Sequence, residues 1–137
     1  MDYRNALDVT GSTAVITGGA GGLGFEAATA LAQCGASVIL ADLDAEALSA
    51  AVGRLKASGA KASSIVLDVT DPKAVERAAD ELVTARGNVD ILINSAGIAR
   101  LNSAVETPDA EWRQVMDVSF PWCDKFTIIA RVRQIDR

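Results

Sequence analysis

The stretch Thr17-Gly18-Gly19-Ala20-Gly21-Gly22-Leu23-Gly24 puts five glycines into seven positions, directly after the apolar run Ala14-Val15-Ile16. It carries no nucleophile beyond a threonine and no acid or base. What it offers is main chain. From Phe25 to Cys34 the sequence becomes Ala-rich with apolar residues at helical spacing, so the segment reads strand, tight turn, helix. Backbone N–H groups at a helix N-terminus attract anions, and glycines let a phosphate approach them closely. The informative spacing is Gly18, Gly22 and Gly24, a Gly-x-x-x-Gly-x-Gly pattern distinct from the Gly-x-Gly-x-x-Gly of long-chain dinucleotide enzymes. Taken alone, the run also suits a flexible turn.

Asp42 lies about twenty residues further on, where a carboxylate accepts two hydrogen bonds from the ribose hydroxyls of an adenosine. It would repel a 2′-phosphate. No Arg or Lys occurs between Gly18 and Arg54, so the electrostatics favour NAD over NADP. The plainer alternative makes Asp42 a solvated turn residue, which is how Asp44 reads, and Asp68 and Asp71 admit the same interpretation. Histidine is absent, which excludes a Ser-His-Asp triad and the commonest zinc sites. Cys34 and Cys123 have neither metal spacing nor a disulfide framework, and Cys34 is expected to pack as a small apolar residue in the first helix.

The 137 residues, half of them apolar, suffice for one core. A net charge of −5 argues against a nucleic-acid partner, whose footprint is a basic face. Met1-Asp2-Tyr3-Arg4 shows no signal region and no run has membrane-spanning length, so a cytoplasmic protein without membrane contact is expected. Residues 1–11 read as a surface lead-in. Strands are expected over Ser12–Thr17, Ser37–Ala41, Ser63–Leu67 and Asp90–Ile93, and helices over Gly22–Gln33 and Asp44–Ser58. A third helix should start at Asp71-Pro72 and stop near Gly87, and a fourth should start at Thr107-Pro108-Asp109, with Trp112, Val115 and Met116 on one side. The alternation gives an α/β, Rossmann-type doubly wound parallel sheet, incomplete at four strands, in the order 3-2-1-4. A ligand then belongs at the carboxyl ends of strands one and four, where the order reverses.

Thr17-Gly18-x-x-x-Gly22-x-Gly24, Asp42, Asp68-Val69 and Asp90-Ile91-Leu92-Ile93-Asn94-Ser95-Ala96-Gly97, in this order and spacing, resemble the short-chain dehydrogenase/reductase family over about residues 8 to 118. Asn94 to Leu101 and Glu111 to Met116 further resemble its polyol branch, which includes galactitol dehydrogenase. The resemblance implies hydride transfer between a secondary alcohol or polyol and NAD. It puts Asp68 and Val69 at the adenine, and Asn94, Ala96 and Gly97 at the nicotinamide ribose, where that motif also steadies the central sheet. The candidate cofactor-binding residues are therefore Gly18, Gly21, Gly22, Leu23, Gly24, Asp42, Leu43, Asp68, Val69, Asn94, Ala96 and Gly97. No catalytic residue and no metal ligand is identifiable.

The sequence departs from the family after Val118, where Ser119-Phe120-Pro121-Trp122 stands in place of an asparagine and a long helix, and Pro121 should break or kink that helix. The family's serine and Tyr-x-x-x-Lys pair have no counterpart: the single tyrosine, Tyr3, precedes the first strand and has leucine four residues on. Residues 1–118 carry nine basic and sixteen acidic side chains, whereas 119–137 carry four and two. The expectation is an NAD-binding half-domain over 1–118, truncated by a frameshift, alternative splice or similar event, with an atypical tail over 119–137 that alternatively caps the sheet. Such a chain would bind cofactor without turnover, and an alcohol or polyol would be a partner only of an intact version. A homo-oligomer is expected. Two rivals are an interaction protein pairing through the edge of strand four, and a nucleotide-using transferase such as a methyltransferase, which Asn94-Ser95-Ala96-Gly97 disfavours.

Overall fold

The computed structural model describes residues 8–98 and 106–119. Tyr3, Ala99 to Leu101, Pro121, Cys123 and all of the expected 119–137 tail beyond Ser119 lie outside them. The elements run β1 (Thr13–Thr17), α1 (Gly22–Gln33), β2 (Ser37–Asp42), α2 (Ala45–Ala57), β3 (Ala62–Val66), α3 (Pro72–Arg86), β4 (Ile91–Asn94) and α4 (Asp109–Ser119). The four strands form one parallel sheet in the order β3-β2-β1-β4. Thr13 to Thr17 pair with Ser37 to Ala41 on one side, and Ala14 to Thr17 pair with Ile91 to Asn94 on the other.

Side chains alternate across a strand, and here the alternation sorts the core into two layers. Ala14, Ile16, Val38 and Leu40 face Phe25 and Ala28 of α1 and Leu48, Ala51 and Leu55 of α2. Val15, Ile39 and Ala41 face Val75, Ala78, Ala79 and Leu82 of α3. β1 is buried along its whole length, which is why its sequence reads as a continuous apolar run. The helices follow from their ends. The Asp44 side chain accepts from the Glu46 and Ala47 N–H groups at 3.0 Å, and Asp71 accepts from Lys73 N–H at 2.9 Å ahead of Pro72. α1 stops where Gly35 turns left-handed, at φ +96°, against Thr10.

Some expectations shift. β3 lies one residue earlier than Ser63–Leu67, because Leu67 has left the ladder's pattern and is buried beyond it, its N–H reaching the Asp42 carbonyl at 2.8 Å. β1 starts at Thr13 rather than Ser12, and β4 starts at Ile91 because Asp90 ties its N–H to the Thr13 carbonyl and its carboxylate to Thr13 N–H. Cys34 is the half-buried residue that caps α1, not a member of its interior, and its carbonyl accepts from Val9 N–H. Val9 packs against the core, so the lead-in is not wholly a surface feature. α4 buries none of its residues, and Trp112 is exposed. No helix among the described residues is long and apolar enough to cross a membrane.

Leu55 is 2% exposed and Leu23 85%, and both sit on helices. Leu55→Ala should therefore lower the unfolding free energy by about 2–5 kcal/mol in urea titration, and Leu23→Ala should change it by no more than about 0.5 kcal/mol.

Candidate dinucleotide site

At the carboxyl ends of β1, β2 and β4 the glycine turn is packed from three directions. A Cβ on Gly18 would lie 2.8 Å from the Ala96 Cα and N and from the Ser95 carbonyl oxygen. One on Gly24 would lie 2.3 Å from the Gly18 carbonyl oxygen, so α1 sits directly on the turn that precedes it. Gly18 also has φ +64° and Gly22 φ +55°, angles that side-chain-bearing residues rarely adopt. The three positions of the Gly-x-x-x-Gly-x-Gly pattern thus answer three needs: close approach to the β4 exit, a left-handed backbone, and helix-on-turn contact. Gly19 proves constrained as well, its absent Cβ lying 2.9 Å from the Ile16 carbonyl oxygen and 3.0 Å from Leu40. Gly21 is not, since its Cβ would meet nothing within 4 Å.

Thr17 is the residue the spacing argument overlooked. It is fully buried, and its Oγ1 accepts hydrogen bonds from both Ser95 N–H and Ala96 N–H at 3.2 Å. One hydroxyl therefore fixes the β4 exit against the β1 exit. The available signal was a polar side chain closing an otherwise apolar buried strand, which must find partners to be tolerated there.

The N-terminus of α1 is open. Gly21 caps it with no side-chain hydrogen bond, and the first turn holds no acidic residue. The first helical bond runs from Phe25 N–H to the Gly21 carbonyl at 3.2 Å, which leaves the Gly22, Leu23 and Gly24 amides outside the helical ladder. Asp42 ends β2 beside this turn. Its Oδ2 accepts from Ala20 N–H at 3.3 Å, and its Oδ1 from Leu43 N–H at 2.8 Å and Asp44 N–H at 3.5 Å. The carboxylate is thus oriented by three main-chain donors, one of which belongs to the glycine loop.

A cleft of about 150 Å³ opens at this point, lined by Gly18, Ala41, Asp42, Leu43, Leu67, Val69, Ala96, Gly97, Ile98 and Val118. Six of the twelve candidate residues line it. Gly21, Gly22, Leu23 and Gly24 lie alongside at the start of α1, while Asn94 is exposed at the end of β4 in register with Thr17. Asp68 does not line the cleft, although Val69 does. Its Oδ1 is engaged by Thr70 Oγ1 at 2.6 Å and Thr70 N–H at 2.8 Å, a closed local turn. Ala41, Leu67, Ile98 and Val118 were missed, because nothing in an apolar residue's identity separates a cleft wall from a core position. No group of three or more metal-ligating side chains is gathered among the described residues.

The Thr70 hydroxyl, followed by the Thr70 N–H, holds the Asp68 carboxyl below its ordinary value, with burial opposing weakly. A depressed folded value gives stability that is present above the unfolded pKa of about 3.9 and lost as pH falls through the folded one. The site is open to solvent, so the effect on stability is small. Thr70→Val should raise the Asp68 midpoint in an NMR titration and flatten the acid limb of stability. A sharper contrast concerns the turn itself: Gly24→Ala should cost about 1–3 kcal/mol or more by overpacking, and Gly21→Ala no more than about 0.5 kcal/mol, in the same denaturation assay.

The chain matches the short chain dehydrogenase family over residues 12–121. It is 50% identical over 119 residues to galactitol 2-dehydrogenase (L-tagatose-forming) from Cereibacter sphaeroides, covering 87% of this chain and 46% of that one. Among solved structures, a short-chain type dehydrogenase/reductase from Mycobacterium marinum superposes with a TM-score of 0.90 at 29% identity, over 99% of this chain and 55% of that one. Actinorhodin polyketide ketoreductase, solved with NADPH, gives 0.83 at 25% identity, over 89% and 47%. The chain spans about half the length of the relatives it matches. With the glycine turn, the 3-2-1-4 sheet and these likenesses in agreement, the chain belongs to the short-chain dehydrogenase family.

Proposed function

We propose that this chain binds NAD(H), with the diphosphate on the open N-terminus of α1, the adenosine ribose on Asp42 and the adenine against Leu43 and Val69. The observation that carries this reading is the 3.3 Å hydrogen bond from Ala20 N–H to the Asp42 carboxylate, which puts the proposed sugar reader and the proposed phosphate cradle in direct contact. A Cβ at Gly18 or Gly24 would collide with backbone already in place, so the turn keeps its amides near the cleft only with glycine there. A 2′-phosphate would meet the Asp42 charge with no Arg or Lys between Gly18 and Arg54 to offset it, which supports NAD over NADP. That argument is specific to this sequence, since a relative of the same fold was solved with NADPH.

Bound nicotinamide would supply the hydride acceptor or donor. For the whole protein, likeness to galactitol 2-dehydrogenase supports oxidation of a secondary alcohol or polyol. The residues of this sequence would bind and orient the cofactor. No Tyr-x-x-x-Lys pair occurs among the 137 residues, so we assign cofactor binding without turnover to this polypeptide. Loss of a general acid or base typically lowers rate by about 10²- to 10⁴-fold, before any loss of substrate positioning.

Calorimetry with NAD, NADP and S-adenosylmethionine should show saturable heat with NAD, weaker or no binding of NADP, and none of S-adenosylmethionine. Asp42→Ala should weaken NAD by about tenfold or more, the worth of hydrogen bonds to a charged group, and narrow the gap to NADP. Preference for NADP, or binding of S-adenosylmethionine alone, would overturn the reading. Saturable turnover of a polyol panel by the pure 137-residue chain would contradict the assignment of binding without chemistry.

A further inference from the structure

We propose that the outer edge of β3 pairs with the same edge of a second copy of this chain, antiparallel about Ser64, joining two four-stranded sheets into one. Two hydrogen bonds fix which main-chain groups face that edge. Val38 N–H donates to the Lys61 carbonyl at 2.9 Å, and Leu67 N–H donates to the Asp42 carbonyl at 2.8 Å. Residues 61 and 67 therefore turn their peptide groups towards β2, as do Ser63 and Ile65 between them, since the register runs unbroken from Val38 with Ala62 to Asp42 with Val66. Ala62, Ser64 and Val66 turn theirs the other way. Ser64 is exposed and Val66 is 59% exposed, so solvent reaches this edge. Such an edge is normally blunted by a charge, a proline or a bulge within the strand. Ala62-Ser63-Ser64-Ile65-Val66 holds neither charge nor proline, its ladder has no bulge, and its first three side chains are small.

A second copy fits because the edge is complementary to itself under a two-fold axis. With the axis at Ser64, Ala62 meets the partner's Val66 and Ser64 meets the partner's Ser64. These are the residues whose peptide groups face outward, so each pair can exchange both N–H···O=C bonds of an antiparallel ladder. A one-residue slip would set outward groups against inward ones. Charge selects the same direction. Lys61 precedes the strand and Arg86 donates to Ser63 Oγ at 3.2 Å, whereas Asp68 and Asp71 follow the strand. The antiparallel arrangement brings the basic end of each edge to the acidic end of the other, and a parallel one would set like beside like. A five-residue strand buries little surface, so the dimer should be weak, with a dissociation constant of about 10 μM or higher.

Sedimentation equilibrium of the full 137-residue chain up to about 1 mM should show a concentration-dependent dimer. Amide hydrogen exchange read by NMR should find Ser63 and Ile65 protected at every concentration, and Ala62, Ser64 and Val66 gaining protection only as the dimer fills. Ser64→Pro removes an outward N–H while sparing the β2 ladder, and should abolish the dimer with the circular dichroism unchanged. Lys61→Glu leaves the strand itself untouched and keeps the test open should the proline variant not fold. It should weaken the dimer by about threefold or more, because the two-fold axis counts each like-charge contact twice. A chain that is monomeric at about 1 mM, a dimer that protects β4 instead, or a dimer unmoved by Lys61→Glu would overturn the inference. Protection of Ser64 and Val66 in the dilute monomer would overturn it too, since another segment of the same chain would then cover the edge.

Discussion

Two backbones meet at Gly18, and the site depends on that meeting. The β1 exit and the β4 exit approach until a single added carbon on Gly18 would stand 2.8 Å from Ala96, and the Thr17 hydroxyl bridges what remains of the gap with two hydrogen bonds. A buried hydroxyl that accepts from two N–H groups satisfies two donors that a loop leaving a sheet would otherwise leave unpaired, each at a cost of about 1–3 kcal/mol. The contact exists because strand order reverses between β1 and β4, which are neighbours in the sheet but separated in sequence by two further strands and three helices. Both layers of core converge on this point: Ile16 and Leu40 pack under one face, Val15 and Ala41 under the other. The cleft is open because the reversal sends successive connections to opposite faces of the sheet.

An acidic chain that is proposed to hold a diphosphate raises an electrostatic question. The net charge is −5, yet interactions between exposed charges fade over about 8 Å at physiological salt, so the sum over the molecule matters less than the groups within one turn of the ligand. Within that distance the α1 N-terminus contributes its partial positive charge and three amides outside the helical ladder, an interaction of about 0.3–1 kcal/mol when exposed and up to about 2 kcal/mol when partly buried. The absence of any acidic residue from the first turn of α1 keeps that term intact. Asp42 brings a negative group to this loop, and the loop amide it engages is that of Ala20, ahead of the helix. Attraction and discrimination are thus assigned to different atoms of one loop: the helix amides favour an anion, and the carboxylate disfavours a second one at the neighbouring sugar.

Much of this arrangement is legible in the sequence because it is written in residues with few alternatives. Glycine spacing located the turn, Asp44 and Asp71-Pro72 marked helix starts, Gly35 and Gly87 marked stops, and continuous apolar runs identified strands covered on both faces. The parallel order followed from alternation and handedness. Other features were not legible for physical reasons. Gly19 looks interchangeable with Gly21 in the sequence, but one is wedged between Ile16 and Leu40 and the other stands in open space, a difference made entirely by tertiary packing. Asp42 ends β2 and Asp68 follows β3, yet Asp68 closes a local turn with Thr70 while Asp42 turns its carboxylate to the loop. Leu67 and Val118 became cleft walls through the geometry of elements distant in sequence. The one-residue displacement of β3 reflects an edge strand, where burial constrains register least.

The central claim is that the amides opening α1 and the carboxylate of Asp42 grip one ligand together. Amide NMR of the labelled chain during addition of NAD reads both groups in a single experiment. The account predicts that the largest shifts fall on Ala20, Gly22, Leu23, Gly24 and Leu43 and saturate with one common dissociation constant. Saturable shifts elsewhere with these five amides unmoved, or two distinct constants for the loop and for Leu43, would contradict it.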